Sequence, residues 1–138
     1  MANLDRHKAL VLEFWHAPFD DRARFFTDDV VWHLPPSVRQ QGIQADVRGG
    51  DAPALFEMGF DTYEPGMTWD VQHVLAEDDF VTLHCTMRGR TASGNAYHGP
   101  YHMLFRIEGE RIAEGWEFLD TAYALERIGP PFPGGDRP

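Results

Sequence analysis

The hydrophobic positions in the first half of the chain follow a helical period that prolines interrupt. Apolar side chains recur at helical spacing at Leu4, Leu10, Val11, Phe14 and Trp15. This spacing predicts an amphipathic helix over residues 4–16, which Pro18 ends. The pattern then predicts a second short helix from Asp20 or Asp21, a short strand over 30–34, a polar loop and a third helix that begins at Asp51.

The second half of the chain alternates apolar and polar residues, which is typical of strands. Four such runs cover residues 68–77, 80–91, 96–107 and 111–119. The short segments between them are rich in the aspartate, serine, asparagine and glycine residues of tight turns. The pattern predicts a meander of four antiparallel strands and a last helix after Asp120. Long antiparallel strands with helices on one face predict an α+β cone, in which a curved antiparallel sheet encloses an apolar pocket.

Composition narrows the class of protein. The 138 residues and the hydrophobic content of 43% are typical of one folded domain. We expect it to span residues 1–129, with a flexible tail over 130–138. A net charge of −10 disfavours binding to nucleic acids and to anionic membranes. No signal peptide or apolar run long enough to span a bilayer is expected, and the single Cys85 cannot form an internal disulfide, so a cytoplasmic protein is expected.

A carboxylate in the last predicted strand is the strongest candidate for chemistry. Glu117 lies between the large apolar residues Trp116 and Phe118, which predicts partial burial. Burial raises the pKa of a carboxyl group and suits it to proton transfer near neutral pH. The alternative is a glutamate that points to solvent from a half-buried strand.

The last predicted hairpin adds a histidine to this candidate site. If two or four residues form the loop, His102 lies directly opposite Glu117, with the two Cβ atoms ~5 Å apart. A three-residue loop would instead place His102 opposite Trp116. Simple alternation puts His102 and Glu117 on the face opposite to the apolar side chains of residues 101–107. That face lines a pocket only if the curved sheet buries both of its faces.

The C-terminal part of the chain resembles a known family. Residues 101–129 read YHMLFRIEGERIAEGWEFLDTAYALERIG, with a glycine-containing turn at 108–110, a strand start at Arg111-Ile112 and an Asp120-Thr121 pair before a helix. This segment is similar to the end of SnoaL-like polyketide cyclases of the nuclear-transport-factor-2-like superfamily, which also holds ketosteroid isomerases and limonene epoxide hydrolases. The resemblance implies the cone fold and a homodimer that pairs through the sheet.

The resemblance also implies a site and a reaction. In the polyketide cyclases of this group, a histidine on the penultimate strand and an acidic residue on the last strand form the site. These positions fall on His102 and Glu117, although the family residue is an aspartate where this chain has Glu117. The implied function is cofactor-independent acid/base chemistry, of the cyclase or isomerase type, on a small or polycyclic apolar carbonyl compound. Glu117 would transfer the proton, and His102 would be its partner or would stabilise the oxyanion.

Further residues are expected to contact the substrate, namely His33, Trp15, Trp32, Phe56, Trp69 and Leu119. His33 follows Trp32 at a strand end, where the rim of a pocket is expected, and the alternative is a capped or solvated histidine. No metal is expected, because His98 and His102 lie ~13 Å apart along a strand, and no phosphate-binding glycine pattern occurs. Two other functions remain open. One is an epoxide hydrolase that activates water with Asp120 or Glu117, and the other is a non-catalytic ligand-binding or dimerisation module.

Overall fold

The computed structural model describes residues 3–57 and 63–128, which form an α+β fold. The helices are α1 (Leu4–His16), α2 (Asp51–Glu57) and α3 (Thr121–Ile128), with two 3-10 helices at Phe19–Phe25 and Pro36–Gln41. The strands are β1 (Phe26–His33), β2 (Asp46–Arg48), β3 (Thr68–Glu77), β4 (Phe80–Arg90), β5 (Ala96–Glu108) and β6 (Arg111–Leu119). The predicted α+β class and the four long strands are confirmed. The predicted tail over 130–138 lies outside the described residues.

The first helix packs its apolar side on the sheet. Asn3 caps this helix, because its side chain accepts a hydrogen bond from the backbone N–H of Arg6 at 3.0 Å. Its buried side chains are Val11, Phe14 and Trp15. The ring of Phe14 lies edge-on to those of Phe26 and Phe105, with centroids 5.3 and 5.9 Å apart. Aromatic packing therefore fixes α1 against the sheet.

Six strands form one curved sheet in the order β2-β1-β6-β5-β4-β3. Neighbouring strands are antiparallel except β1 and β6, which run parallel. The sheet is thus mixed, whereas the sequence pattern predicted an antiparallel one. The difference arises because β1, which covers the strand predicted over 30–34 and begins earlier, at Phe26, joins the meander at β6 and runs in the same direction as β6. The short β2 falls in the predicted loop, since three residues are too few to show alternation.

The two faces of the sheet differ in burial. The inner face, which the helices cover, carries the buried side chains of Val81, Leu83, Cys85 and Met87 on β4 and of Tyr101, Met103, Phe105 and Ile107 on β5. The outer face carries the exposed side chains of Leu75, Phe80, Phe118, His73, His84 and His102. A group that needs burial for its chemistry must therefore lie on the inner face.

A bulge in the last hairpin decides which residues of β5 and β6 face each other. The turn between these strands has two residues, as predicted. Ala113 is then an extra residue in β6, and beyond it the pairing is moved by one position. Glu117 consequently pairs with Met103, and His102 pairs with Phe118. The predicted pair of His102 and Glu117 is wrong, because the extra residue turns Glu117 to the inner face.

A glycine on the inner face of β6 leaves room for the core. Gly115 pairs with Trp32 of β1, and a Cβ atom on Gly115 would lie 2.2 Å from the indole ring. We expect Gly115→Ala to lower the free energy of unfolding by about 2 kcal/mol, because the buried indole cannot move without disturbing the core. Urea unfolding measures this change. In the control Gly50→Ala the added methyl group meets no described atom within 4 Å, and an equal loss there would contradict the steric explanation.

Candidate active site

A cavity lies between the inner face of the sheet and the helices. Its volume is about 150 Å³, and its walls are largely apolar. The side chains that give these walls their chemical character are Trp15, Phe19, Arg22, Tyr63, Trp69, Tyr101, Glu117 and Leu119. Strand β6 therefore places the carboxyl group of Glu117 in a largely apolar cavity between the sheet and the helices.

One side of the cavity faces solvent, between the second 3-10 helix and α3. Ser37 lines the cavity there, is exposed, and donates a hydrogen bond to the hydroxyl oxygen of Thr121 at 3.4 Å. The neighbouring Asp120 caps α3, because its side chain accepts a hydrogen bond from the backbone N–H of Tyr123 at 3.1 Å. Asp120 is exposed and does not line the cavity.

Glu117 is the carboxylate of this cavity. The residue is half-buried, and its Oε1 accepts a hydrogen bond from Nε1 of Trp32 at 3.2 Å. Burial raises the pKa of Glu117 to about 7, although the hydrogen bond from Trp32 and the positive charge of Arg22 both act to lower it. Both protonation states are therefore populated at neutral pH, so the group can accept or donate a proton.

Arg22 brings a buried positive charge to the same cavity. Its side chain is 2% exposed, and its guanidinium donates from Nη2 to the carbonyl oxygen of Trp15 at 2.6 Å and from Nε to that of Ala17 at 3.3 Å. The rings of Trp15 and Phe19 lie 4.9 Å from its Cζ. Burial lowers the pKa of Arg22 to about 10, while the negative charge of Glu117 acts to raise it. The guanidinium is therefore charged at neutral pH.

Three tyrosine hydroxyls form a hydrogen-bonded group at the cavity. The hydroxyl of Tyr101 lies 2.9 Å from that of Tyr97 and 3.4 Å from that of Tyr63. Burial raises the pKa of Tyr101 well above its ordinary value and that of Tyr97 to about 12, so both keep their protons. Tyr63 and Tyr97 also interact, so the three O–H groups bond mainly to one another. Tyr63 and Tyr101 line the cavity, so their hydroxyls are the ones that a ligand can reach.

Three of the predicted substrate contacts line the cavity, namely Trp15, Trp69 and Leu119. The rings of Trp15 and Trp69 meet edge-on, with centroids 4.5 Å apart. Trp32 is fully buried and does not line the cavity, and it contacts Glu117 instead. The side chain of Phe56 lies outside the described part of the structure. A role of these residues in binding stays a prediction.

His102, the predicted catalytic partner of Glu117, lies on the outer face of the sheet. It is exposed, and its Nε2 is 2.9 Å from the hydroxyl oxygen of Thr82. The cavity is on the opposite face, so His102 does not reach a ligand there. The bulge at Ala113 is the reason, since it changes the face of Glu117 and leaves that of His102 unchanged.

His33 also lies on the outer face, so its predicted place at the rim of the pocket is wrong. Alternation along β1 turns Trp32 inward and His33 outward. Nδ1 of His33 is 2.8 Å from Asp46, and Nε2 is 2.6 Å from Glu114. Burial acts to lower the pKa of His33, but the hydrogen bonds to these two carboxylates outweigh it and raise the pKa above its ordinary value. His33 therefore belongs to an ion-pair network on the outer face.

Arg22 and the three tyrosines are candidates that the sequence pattern did not identify. An arginine in a short polar helix is ordinarily exposed, so the sequence holds no signal for Arg22. Tyr97 and Tyr101 do leave a signal, because they share the buried face of one strand and buried tyrosine hydroxyls need partners. Gly99 lies between them, and a Cβ atom there would lie 2.6 Å from the ring of Tyr97.

Within residues 3–57 and 63–128, no group of three or more His, Cys, Asp or Glu side chains is placed to hold a metal ion. In the same ranges, no helix has the length and apolar character needed to cross a membrane.

Solved structures with similar folds agree with this architecture. A candidate SnoaL-like polyketide cyclase from Jannaschia sp. CCS1 is 17% identical, with a TM-score of 0.78 over 96% of this chain and 98% of that chain. A nuclear-transport-factor-2-like protein of unknown function from Burkholderia pseudomallei K96243 is 18% identical, with a TM-score of 0.76 over 93% and 98%. A hypothetical protein with a ketosteroid-isomerase-like fold from Catenulispora acidiphila DSM 44928 is 16% identical, with a TM-score of 0.68 over 92% and 94%. These likenesses show the nuclear-transport-factor-2-like fold.

The sequence itself matches a family. No curated protein matches the chain. The sequence model of the SnoaL-like domain matches residues 8–115, which is well over half of the 138 residues. Glu117 lies just beyond this match, so its role rests on the geometry of the cavity. The resemblance found in the sequence is confirmed, and the chain belongs to the family of SnoaL-like domains.

Proposed function

We propose that the protein is a cofactor-independent acid/base enzyme that moves a proton on a carbon atom next to a carbonyl group. The observation that carries this proposal is Glu117, a carboxyl group in an apolar cavity with a pKa of about 7. A general base is most effective when its pKa lies near the working pH. Hydrogen-bond donors in the same cavity support the proposal, because an enolate needs stabilisation at its oxygen.

The proposed reaction begins when the carboxylate of Glu117 removes a proton from the carbon next to the carbonyl group. The electron pair of the C–H bond forms a carbon–carbon double bond, and the carbonyl oxygen becomes an enolate oxygen. The hydroxyl of Tyr63 or Tyr101 turns its hydrogen from the neighbouring tyrosine to this oxygen, and the charge of Arg22 stabilises the anion. Glu117 then returns the proton to the same carbon or to another carbon of the enolate. An enolate that attacks a second carbonyl group of the same molecule would give cyclisation.

The cavity favours a small, neutral and cyclic ligand. A cavity of about 150 Å³ holds a ring the size of benzene. The aromatic side chains of Trp15 and Trp69 offer flat apolar surfaces to such a ring. A polycyclic compound would have to extend through the side at which Ser37 faces solvent. A single-ring carbonyl compound therefore fits the enclosed space best.

Exchange of carbon-bound protons in deuterium oxide tests the proposal without the physiological substrate. Cyclohexanone, 1-indanone and 1-tetralone serve as probes, and NMR records the loss of the signals from protons next to the carbonyl group. We expect the protein to accelerate exchange in at least one probe. The rate should rise with pH through about 7, as Glu117 loses its proton. A probe that binds without accelerated exchange would instead support a ligand-binding module.

An epoxide hydrolase has less support from the geometry. Asp120, one of its two candidate bases, caps α3 and does not line the cavity. Glu117 alone would then have to activate the water molecule. Hydrolysis of a small epoxide such as styrene oxide, with no proton exchange in the ketones, would favour this alternative.

We also propose that the protein works in the cytoplasm as a homodimer, in which two copies pair through the outer face. Leu75, Phe80 and Phe118 are 62%, 39% and 53% exposed on this face. Between them lie Thr82, Leu104 and Trp116, while Glu114 at the side of this face pairs with His33 and Arg106. In a chain with a net charge of −10, an apolar face without carboxylates at its centre is where a second copy can approach.

Phe118→Lys is expected to convert this dimer into monomers. An ammonium group in the middle of an apolar interface would be buried without a partner, which costs several kcal/mol. Analytical ultracentrifugation measures the mass in solution. Leu4→Lys, at an exposed position on α1, is the control and should remain a dimer. A wild-type protein that sediments as a monomer at micromolar concentration would contradict the proposal.

A further inference from the structure

The buried indole of Trp32 contacts one particular oxygen of Glu117. Trp32 is fully buried, and its Nε1 donates to Oε1 of Glu117 at 3.2 Å. We propose that Trp32 is a positioning residue, which holds Oε1 and leaves Oε2 as the oxygen that carries and transfers the proton. This inference rests on the proposed function of Glu117 and assigns that function to a single atom.

The core holds this indole in place from several sides. Trp32 pairs with Gly115, and the missing Cβ atom of that glycine is what gives the ring its space. The rings of Phe14, Phe26 and Phe105 surround it, with centroids 6.1, 6.2 and 5.8 Å away. The donor therefore cannot swing away from the carboxyl group, so the orientation of Glu117 is determined by the packing of the core.

The chemistry of the donor assigns the proton. The indole N–H can only donate a hydrogen bond, so it requires an oxygen with a free lone pair. A proton on Oε1 would make it a hydroxyl oxygen, which accepts a hydrogen bond less well than a carbonyl oxygen, whereas a proton on Oε2 leaves Oε1 as the carbonyl acceptor of the N–H. The protonated acid therefore carries its hydrogen on Oε2. After ionisation the same N–H stabilises the anion, which burial disfavours.

Other titratable groups surround the carboxyl group and must be considered with Trp32. They are Arg22 on the first 3-10 helix, Tyr63, Tyr97 and Tyr101, and Cys85 on β4. Burial raises the pKa of Cys85 to about 12, and the tyrosines keep their protons, so none of these groups changes charge near pH 7. A titration near neutral pH in this region therefore reports Glu117.

The first test follows the side-chain carboxyl carbon of Glu117 by ¹³C NMR as a function of pH. Glu117→Gln assigns the signal. Trp32→Phe keeps an aromatic ring in the core and removes the N–H, so the pKa of Glu117 should rise by about one pKa unit. Trp116→Phe is the matched control, because that ring stacks on His33 on the outer face, and it should leave the titration of Glu117 unchanged. An unchanged titration in Trp32→Phe would overturn the proposal.

A second test needs no change to Trp32 and therefore does not depend on how well that variant folds. The indole N–H signal of Trp32 in ¹⁵N spectra of the wild type should move with the same midpoint as the Glu117 carbon. It should lose this pH dependence in Glu117→Gln. An indole N–H signal whose chemical shift does not change as Glu117 titrates would overturn the role of Trp32 and leave the proposed function intact. A wild-type Glu117 that titrates near 4.5 would remove the base from the proposed function, whatever the indole shows.

Discussion

Replacing Glu117 by glutamine is expected to slow proton exchange by about 10²- to 10⁴-fold in any carbonyl probe that the wild type accelerates. The amide has nearly the shape of the acid, and its oxygen can still accept the hydrogen bond from Trp32. The cavity should therefore bind the probe as before, but it would lack a group that takes up a proton. Exchange rates at saturating probe, together with a binding titration, separate the chemical step from affinity.

The matched control for this variant is Glu114→Gln. Glu114 lies three residues earlier on the same strand, on the outer face, where it contacts His33. Its replacement should leave the exchange rate within about two-fold of the wild type, because it changes a partly exposed ion pair away from the cavity. Equal losses in both variants would point to damage of β6 rather than to chemistry. Full activity in Glu117→Gln would exclude Glu117 as the base.

The strands could be predicted from the sequence because alternation and turn residues are local signals. β3 and β6 begin and end where the alternation predicts, and β4 and β5 differ from the prediction by one residue at one end. The register of the last hairpin could not be predicted, because the bulge at Ala113 changes neither the length nor the residues of the turn. A small apolar residue fits either face of a strand. This one residue separates His102 from the cavity and turns Glu117 into it.

The sequence identified Glu117 as a candidate catalytic group because its neighbours are apolar, and this reason is only partly right. Its apolar neighbours Trp116 and Phe118 suggested burial, yet Phe118 is 53% exposed on the outer face. The carboxyl group is buried because Trp32 and the helices cover the inner face, and Trp32 lies 85 residues away along the chain. Arg22 is a similar case, because tertiary packing alone buries its guanidinium. Local patterns can indicate a candidate group, but its environment depends on contacts between distant segments.

The glutamine variant should also reveal what the candidate base costs in stability. Glu117→Gln is expected to raise the free energy of unfolding at alkaline pH, because burial disfavours the charged carboxylate of the wild type. In the unfolded chain the carboxyl has its ordinary pKa of 4.5, and in the folded protein about 7. Below 4.5 both states are protonated, and Glu117 has no effect on stability. As pH rises from 4.5 to about 7, the unfolded state loses its proton first, so the wild type becomes progressively less stable.

Above pH 7 this loss is complete and amounts to about 3 kcal/mol, at about 1.4 kcal/mol for each pKa unit. Glutamine does not titrate, so the stability difference between the variant and the wild type should grow by about 2 kcal/mol between pH 5.5 and pH 8.5. Urea unfolding of both proteins at these two pH values measures it, and the ion pairs of His33 cancel because both proteins contain them. A difference that does not change with pH would mean that Glu117 is already ionised in the folded protein at pH 5.5. A stability gain that appears together with a loss of exchange would identify Glu117 as a group kept for function at the expense of stability.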